Sequence, residues 1–242
     1  MEFIQQLVNG ISLGSIYALI ALGYTMVYGI VKLIHFAHGD VFMVGAFIGF
    51  YAITVLELSF LPALLLSMTA CAILGVLIER IAYKPLRNAT RIAALITAIG
   101  VSLFIEYGMI YIRGAQIEAY PNDVLPSSNI DILGVTVKSQ SILILAVAIC
   151  LMVLLQVIVH RTKIGRAMRA VSFDADAAKL MGISVNNTMS ATFAIGSALA
   201  GAAGVIFGVY YTRIEPLMGI LPGLKAFVAA VFGGIGIIPG AM

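Results

Sequence analysis

S-I-L-I-L-A-V-A-I-C-L-M-V-L-L-Q-V-I-V, residues Ser141–Val159, runs its whole length without a charge. A helix needs about 20 apolar residues to cross the hydrocarbon core of a bilayer. Inside lipid every backbone N–H and C=O must be paired within the structure, which leaves helices or a closed barrel. A barrel strand alternates apolar and polar residues over about 10 positions. This stretch does not alternate, so it reads as a membrane-spanning helix.

The rest of the chain extends that reading. Of its 242 residues, 62% are hydrophobic and 10% charged, with a mean hydropathy of +1.09. Soluble domains are about 45–50% apolar and ~25% charged, so a single soluble core is excluded. Candidate spans are Leu7–Ile34, Val41–Leu56, Phe60–Ile78, Ile92–Ile112, Ser141–Val159, Met189–Tyr211 and Leu224–Met242. The second is short and the last incomplete. The fold class is all-α: a polytopic helical membrane protein of about seven spans, some interrupted or half-helical. No Pro/Ser-rich linker divides the chain, so residues 1–242 read as one transmembrane domain. Met1–Asn9 carries Glu2 and no Lys or Arg, unlike a cleaved signal. Cys71 and Cys150 lie inside apolar runs and read as small buried hydrophobes.

Lys and Arg in short loops set orientation. Arg80, Lys84, Arg87 and Arg91 follow the third span, Arg161, Lys163, Arg166, Arg169 and Lys179 the fifth, and Lys32 the first. Only Arg113, Lys138, Arg213 and Lys225 fall on the other side. The first set is expected in the cytoplasm, with the N-terminus outside. Residues Arg113–Lys138, with Pro121, Asn122, Asp123 and Pro126, become the main external loop. Within the spans, Gly196, Ala200, Gly204 and Gly208 line one helix face with small residues, which permits close backbone approach. Gly10/Gly14 and Gly45/Gly49 repeat the pattern. Packing inside one bundle is expected, with homodimerisation through one span the alternative.

Three stretches are not plain spans. The first is Lys32–Asp40, K-L-I-H-F-A-H-G-D. It reads as a broken helix at the membrane border, with Gly39 as breaker and Asp40 as N-cap. The same residues suit a solute pathway, where ionisable groups and irregular backbone are tolerated. A metal site from His35, His38 and Asp40 is a further reading. The second is Ala229–Met242, where four glycines and Pro239 interrupt an apolar run. Paired interrupted segments mark a transport pathway, and Lys32–Gly49 with Ala229–Met242 makes such a pair. The pathway candidates are Phe36, His38, Gly39, Asp40, Gly233, Gly234 and Gly236. The third is Arg161–Asn187. Ser172 is a candidate N-cap, Asp174 and Asp176 suit a first turn, and Gly182 suits a C′ stop. A helix Phe173–Met181, with Phe173, Ala177, Leu180 and Met181 on one face, is marginal alone. It is expected to dock on another protein, or else to rest on lipid.

The stretch R-A-M-R-A-V-S-F-D-A-D-A-A-K-L-M-G-I (Arg166–Ile183) resembles the cytoplasmic coupling loop of ABC-importer permeases. Together with N-G-I-S-L-G-S-I-Y-A-L-I-A-L-G-Y-T-M-V-Y-G-I (Asn9–Ile30), H-F-A-H-G-D and A-A-V-F-G-G-I-G-I-I-P-G-A, it resembles the branched-chain amino-acid permeases of bacterial ABC importers, of the LivH type. The resemblance runs from Asn9 to Met242. It implies a transport subunit of the inner membrane without catalytic residue, metal or cofactor. It implies a second, LivM-like permease subunit or a second copy, two cytoplasmic ATPase subunits, and a periplasmic or lipid-anchored amino-acid binding protein. Nothing points to nucleic acid. The coupling candidates become Phe173, Asp174, Ala177, Ala178, Leu180, Met181 and Gly182 within residues 161–187. No G-x-x-x-x-G-K-[ST] P-loop occurs, so ATP hydrolysis is expected on the partners. Such permeases run on past G-G-x-G-x-x-P-G-A into a further apolar helix, so a missing eighth span and a truncated product or fragment are expected.

Relatives in this fold carry urea, short amides or sugars, so the solute stays open at this point. An ion-coupled carrier would need intramembrane charges, for which Asp40 and Glu106 are the candidates. An intramembrane enzyme is disfavoured by the lack of paired intramembrane acids.

Overall fold

The computed structural model describes residues 2–32, 35–87, 89–121, 124–125, 129–132, 135–236 and 240. The chain runs α1 (Glu2–Val31), α2 (His38–Thr54), α3 (Phe60–Ile78), α4 (Arg91–Arg113), β1 (Glu118–Ala119), β2 (Asn129–Ile132), β3 (Val135–Lys138), α5 (Ser139–Arg161), α6 (Lys163–Phe173), α7 (Ala175–Leu180), α8 (Val185–Tyr211), β4 (Arg213–Ile214) and α9 (Ile220–Phe232). A π-helical turn (Glu79–Tyr83) and a 3-10 turn (Lys84–Leu86) prolong α3. The helices α1, α3, α4, α5 and α8 are long and apolar enough to cross a membrane, while α2 and α9 are shorter.

The core forms around α8, which packs against α1, α2 and α3. Its small-residue face explains the closeness. A Cβ on Gly204 would lie 2.1 Å from the Phe42 carbonyl oxygen and 2.7 Å from the Ala46 nitrogen. One on Gly45 would meet the Gly201 Cα at 2.5 Å. Ser67 Oγ lies 2.8 Å from the Gly45 carbonyl oxygen and 3.2 Å from that of Gly201, fastening α3 to both helices. The stripe therefore packs within the bundle. Gly10 and Gly14 do not share this role, because a Cβ on either meets nothing within 4 Å. Cys71 is buried as expected, but Cys150 is exposed on α5. Periodicity alone does not tell which side of an all-apolar helix faces protein.

Two antiparallel pairings depart from a plain external loop. β1 pairs with β4 (Glu118 opposite Ile214), and β2 pairs with β3 (Asn129 opposite Lys138). Asn122, Asp123 and Pro126 lie outside the described residues. The β1–β4 pairing puts the ends of α4 and α8 on one face. On the opposite face the Arg87 guanidinium donates to Glu79 and to Asn186, and Ser190 Oγ donates to the second Glu79 oxygen at 2.6 Å. This clamp joins the end of α3 to the start of α8. It also brings the basic clusters after α3 and α5 to the same face.

Glu79 is 1% exposed, so removing its cation strands a buried carboxylate. Arg87→Ala is expected to destabilise the protein by about 3 kcal/mol, seen as a melting temperature lowered by several degrees in detergent. Adding Glu79→Gln should restore part of the loss. An unchanged melting temperature for Arg87→Ala contradicts the clamp.

Candidate functional site

Two places carry chemistry. The first begins where α1 stops. Lys32 takes a left-handed backbone (φ 58°) at the end of α1, and α2 starts at His38. That start lies deep in the bundle. The His38 ring packs where a Cβ on Gly23 would be, beside the carbonyl of Gly196. Gly196 stands about 16 Å along α8 at 1.5 Å per residue. α2 is therefore a short helix that begins at mid-depth. Asp40 sits in its first turn rather than at the N-cap, a position held by Ala37. Gly39 does not break the helix, since it is helical itself. Its missing side chain lets the backbone of Gly219 approach, because a Cβ on Gly39 would lie 2.5 Å from the Gly219 carbonyl oxygen. Gly219 in turn caps α9. The two short helices thus meet at their amino ends.

Beside that junction a recess of about 270 Å³ opens between α2, α4 and α9. Phe36, Gly39 and Asp40 line it together with Tyr24, Ser102, Glu106, Gly219, Gly223, Leu224 and Phe227. Ser102 Oγ donates to Asp40 Oδ2, and the Asp40 and Glu106 carboxyl groups face each other. Paired intramembrane acids are therefore present. They sit on α2 and α4, far apart in sequence, so spacing could not reveal them. His38 does not line the recess. It is buried against Tyr24 (ring centroids 4.7 Å apart) and His35 (5.7 Å), and His35 Nδ1 lies 3.0 Å from Tyr83 Oη. Asp40 turns instead to Ser102 and Glu106.

The second member of the expected interrupted pair is displaced. The partner of the α2 start is the α9 start at Gly219–Gly223, not the glycines after α9. Gly236 packs on Gly29, and Gly233 lines a separate groove between α1 and α9. Gly234 takes a positive φ (92°) in the turn that follows α9. Pro239 lies outside the described residues.

The second place is residues 161–187. Thr162 caps α6 by accepting from the Gly165 N–H, so a helix that was not expected precedes the short one and runs through Ser172. Ser172 is therefore not an N-cap; its hydroxyl donates to the Arg169 carbonyl. Asp174 caps α7 instead, its Oδ1 accepting from the N–H of Asp176 and Ala177 at 2.9 and 3.0 Å. The helix is shorter than the expected Phe173–Met181, because the chain is extended at Asp174. Gly182 ends it with φ 81°. Its N–H bonds the Lys179 carbonyl and that of Ile183 bonds Ala178, the paired bonds of a Schellman stop. Phe173, Leu180 and Met181 stand 95%, 88% and 82% exposed. Ala177 is also exposed, but Ala178 is buried at 4% and faces the fold. The amphipathic α6 was legible in Met168 and Val171, both buried, against Lys163 and Arg166.

A model of the branched-chain amino acid transport system permease component matches residues 6–242. The chain belongs to this permease family. The permease is 44% identical to the high-affinity branched-chain amino acid transport system permease protein BraD of Pseudomonas aeruginosa, over all of this chain and 82% of that protein. It is 40% identical to LivH of Escherichia coli K12 over the same shares. A more distant relative is the autoinducer 2 import system permease protein LsrC of an Enterobacter species, 30% identical over 81% of this chain and 56% of that one. No solved structure matches the permease.

Proposed function

We propose that this permease is the membrane subunit of an ABC importer that moves branched-chain amino acids inward across the bacterial inner membrane. The single observation that carries the reading is the family membership over residues 6–242, with relatives named for this transport at 40–44% identity. A second permease subunit, two ATPase subunits and an amino-acid binding protein complete the machine. The face bearing α6 and α7 is cytoplasmic, because the basic clusters lie there, and the N-terminus is then outside. Phe173, Leu180 and Met181 form the apolar contact to an ATPase, and Asp174 and Gly182 hold the short helix that presents them. Phe36, Gly39 and Asp40 line the solute path. His38 supports that path from behind.

A purified importer carrying a photo-crosslinking residue in place of Met181 tests the coupling contact. Illumination is expected to join this chain to an ATPase subunit. The same residue in place of Ala178 is expected to give at least tenfold less product. Equal yields, or none with the ATPases at position 181, contradict the assigned contact.

A further inference from the structure

At its base the recess between α2, α4 and α9 holds two carboxyl groups and no cation. Asp40 is 2% exposed and Glu106 is 8%. Ser102 donates to Asp40, and the Glu106 carboxyl faces that of Asp40. Among the described residues no Lys, Arg or His lines the cavity. Carboxyl groups at membrane depth are costly, and they pair with cations or line a solute path. Such a pair is held by a shared proton or by a cation that enters from outside the chain.

The surroundings say which cation fits. Directly beside Asp40 the amino ends of α2 and α9 abut, and neither helix has a side-chain cap. The first-turn N–H groups are spent on the chain itself, His38 on His35, Asp40 on Ala37 and Ile220 on Leu217, and the acid in the first turn of α2 is Asp40. The remaining walls, including Leu103, Leu224 and Phe227, are apolar. An α-amino acid carries an ammonium and a side chain on one carbon, so its site places an acceptor beside an apolar wall. The recess sets the two carboxyl groups beside Leu103, Leu224 and Phe227, and about 270 Å³ suits a small solute.

We propose that this recess is a transit site for the amino-acid zwitterion. Asp40 and Glu106 receive the α-ammonium, and Leu103, Leu224 and Phe227 hold the branched side chain. The proposal rests on the reading of the chain as an amino-acid permease. It goes further in making the permease itself select an ammonium head, which neutral urea or a short amide lacks.

The test uses the complete importer in proteoliposomes, with photo-leucine as probe and L-leucine uptake measured in parallel. Illumination during ATP turnover is expected to place adducts on Leu103, Leu224 or Phe227, reduced at least tenfold by excess L-leucine. Asp40→Asn and Glu106→Gln should each lower uptake at least tenfold, while ATPase activity stimulated by the binding protein persists. Wild-type uptake with adducts elsewhere overturns the transit site and leaves the permease reading intact. Undiminished uptake by both variants does the same. No leucine uptake by the wild-type importer overturns both readings.

Discussion

Gly204→Leu is expected to keep the permease from reaching a folded, monodisperse state. The Cβ alone would stand 2.1 Å from the carbonyl oxygen of Phe42 and 2.7 Å from the Ala46 nitrogen. Both are backbone atoms of a buried helix, so no side chain can swing away. α2 would have to leave α8, taking with it the Gly45–Gly201 contact and the Ser67 hydroxyl that joins three helices. Overpacking commonly costs about 1–3 kcal/mol where neighbours can adjust, and here the cost exceeds that range. Size-exclusion profiles in detergent should show loss of the monodisperse peak. Gly10→Leu is the control, since nothing lies within 4 Å of a Cβ there. Equal profiles for the two variants would contradict the packing account.

Asp174→Lys acts at the other end of the chain of cause. The Asp174 carboxylate accepts from two N–H groups at the start of a six-residue helix. Losing an N-cap costs about 1 kcal/mol, and a cation at a helix amino end adds a few tenths more. So short a helix is marginal without help, so α7 should fray while α5, α6 and α8 stay in place. Leucine uptake by the assembled importer is expected to fall more than tenfold, with membrane levels of the protein unchanged. Gly182→Trp should act alike, because its φ of 81° strains any side chain. Normal uptake by both variants would remove the coupling role from α7.

What could be read from the sequence depended on the range of the interaction. The α-helical part of the third span, Phe60–Ile78, was legible, whereas its π and 3-10 extension to Leu86 was not. The Gly182 stop and the Gly196–Gly208 stripe were legible too. Caps were less legible, since Ser172 and Asp174 both suit the role and only the preceding helix from Thr162 decides between them. The recess was legible in part. Phe36, Gly39 and Asp40 stood out by local composition, but Ser102, Glu106 and Gly219 join them only through helix packing. The pairing of the α2 start with the α9 start, rather than with Gly233–Gly236, depends on backbone contact between Gly39 and Gly219. No local pattern encodes that contact.

Energised uptake tests the central claim most directly. This chain, with its second permease subunit, ATPases and binding protein, is reconstituted in proteoliposomes without ion gradients. ATP inside the vesicles that face outward on the binding-protein side is expected to drive L-leucine accumulation, which stops when this chain is left out. Accumulation that proceeds without ATP on a proton or sodium gradient would contradict the account.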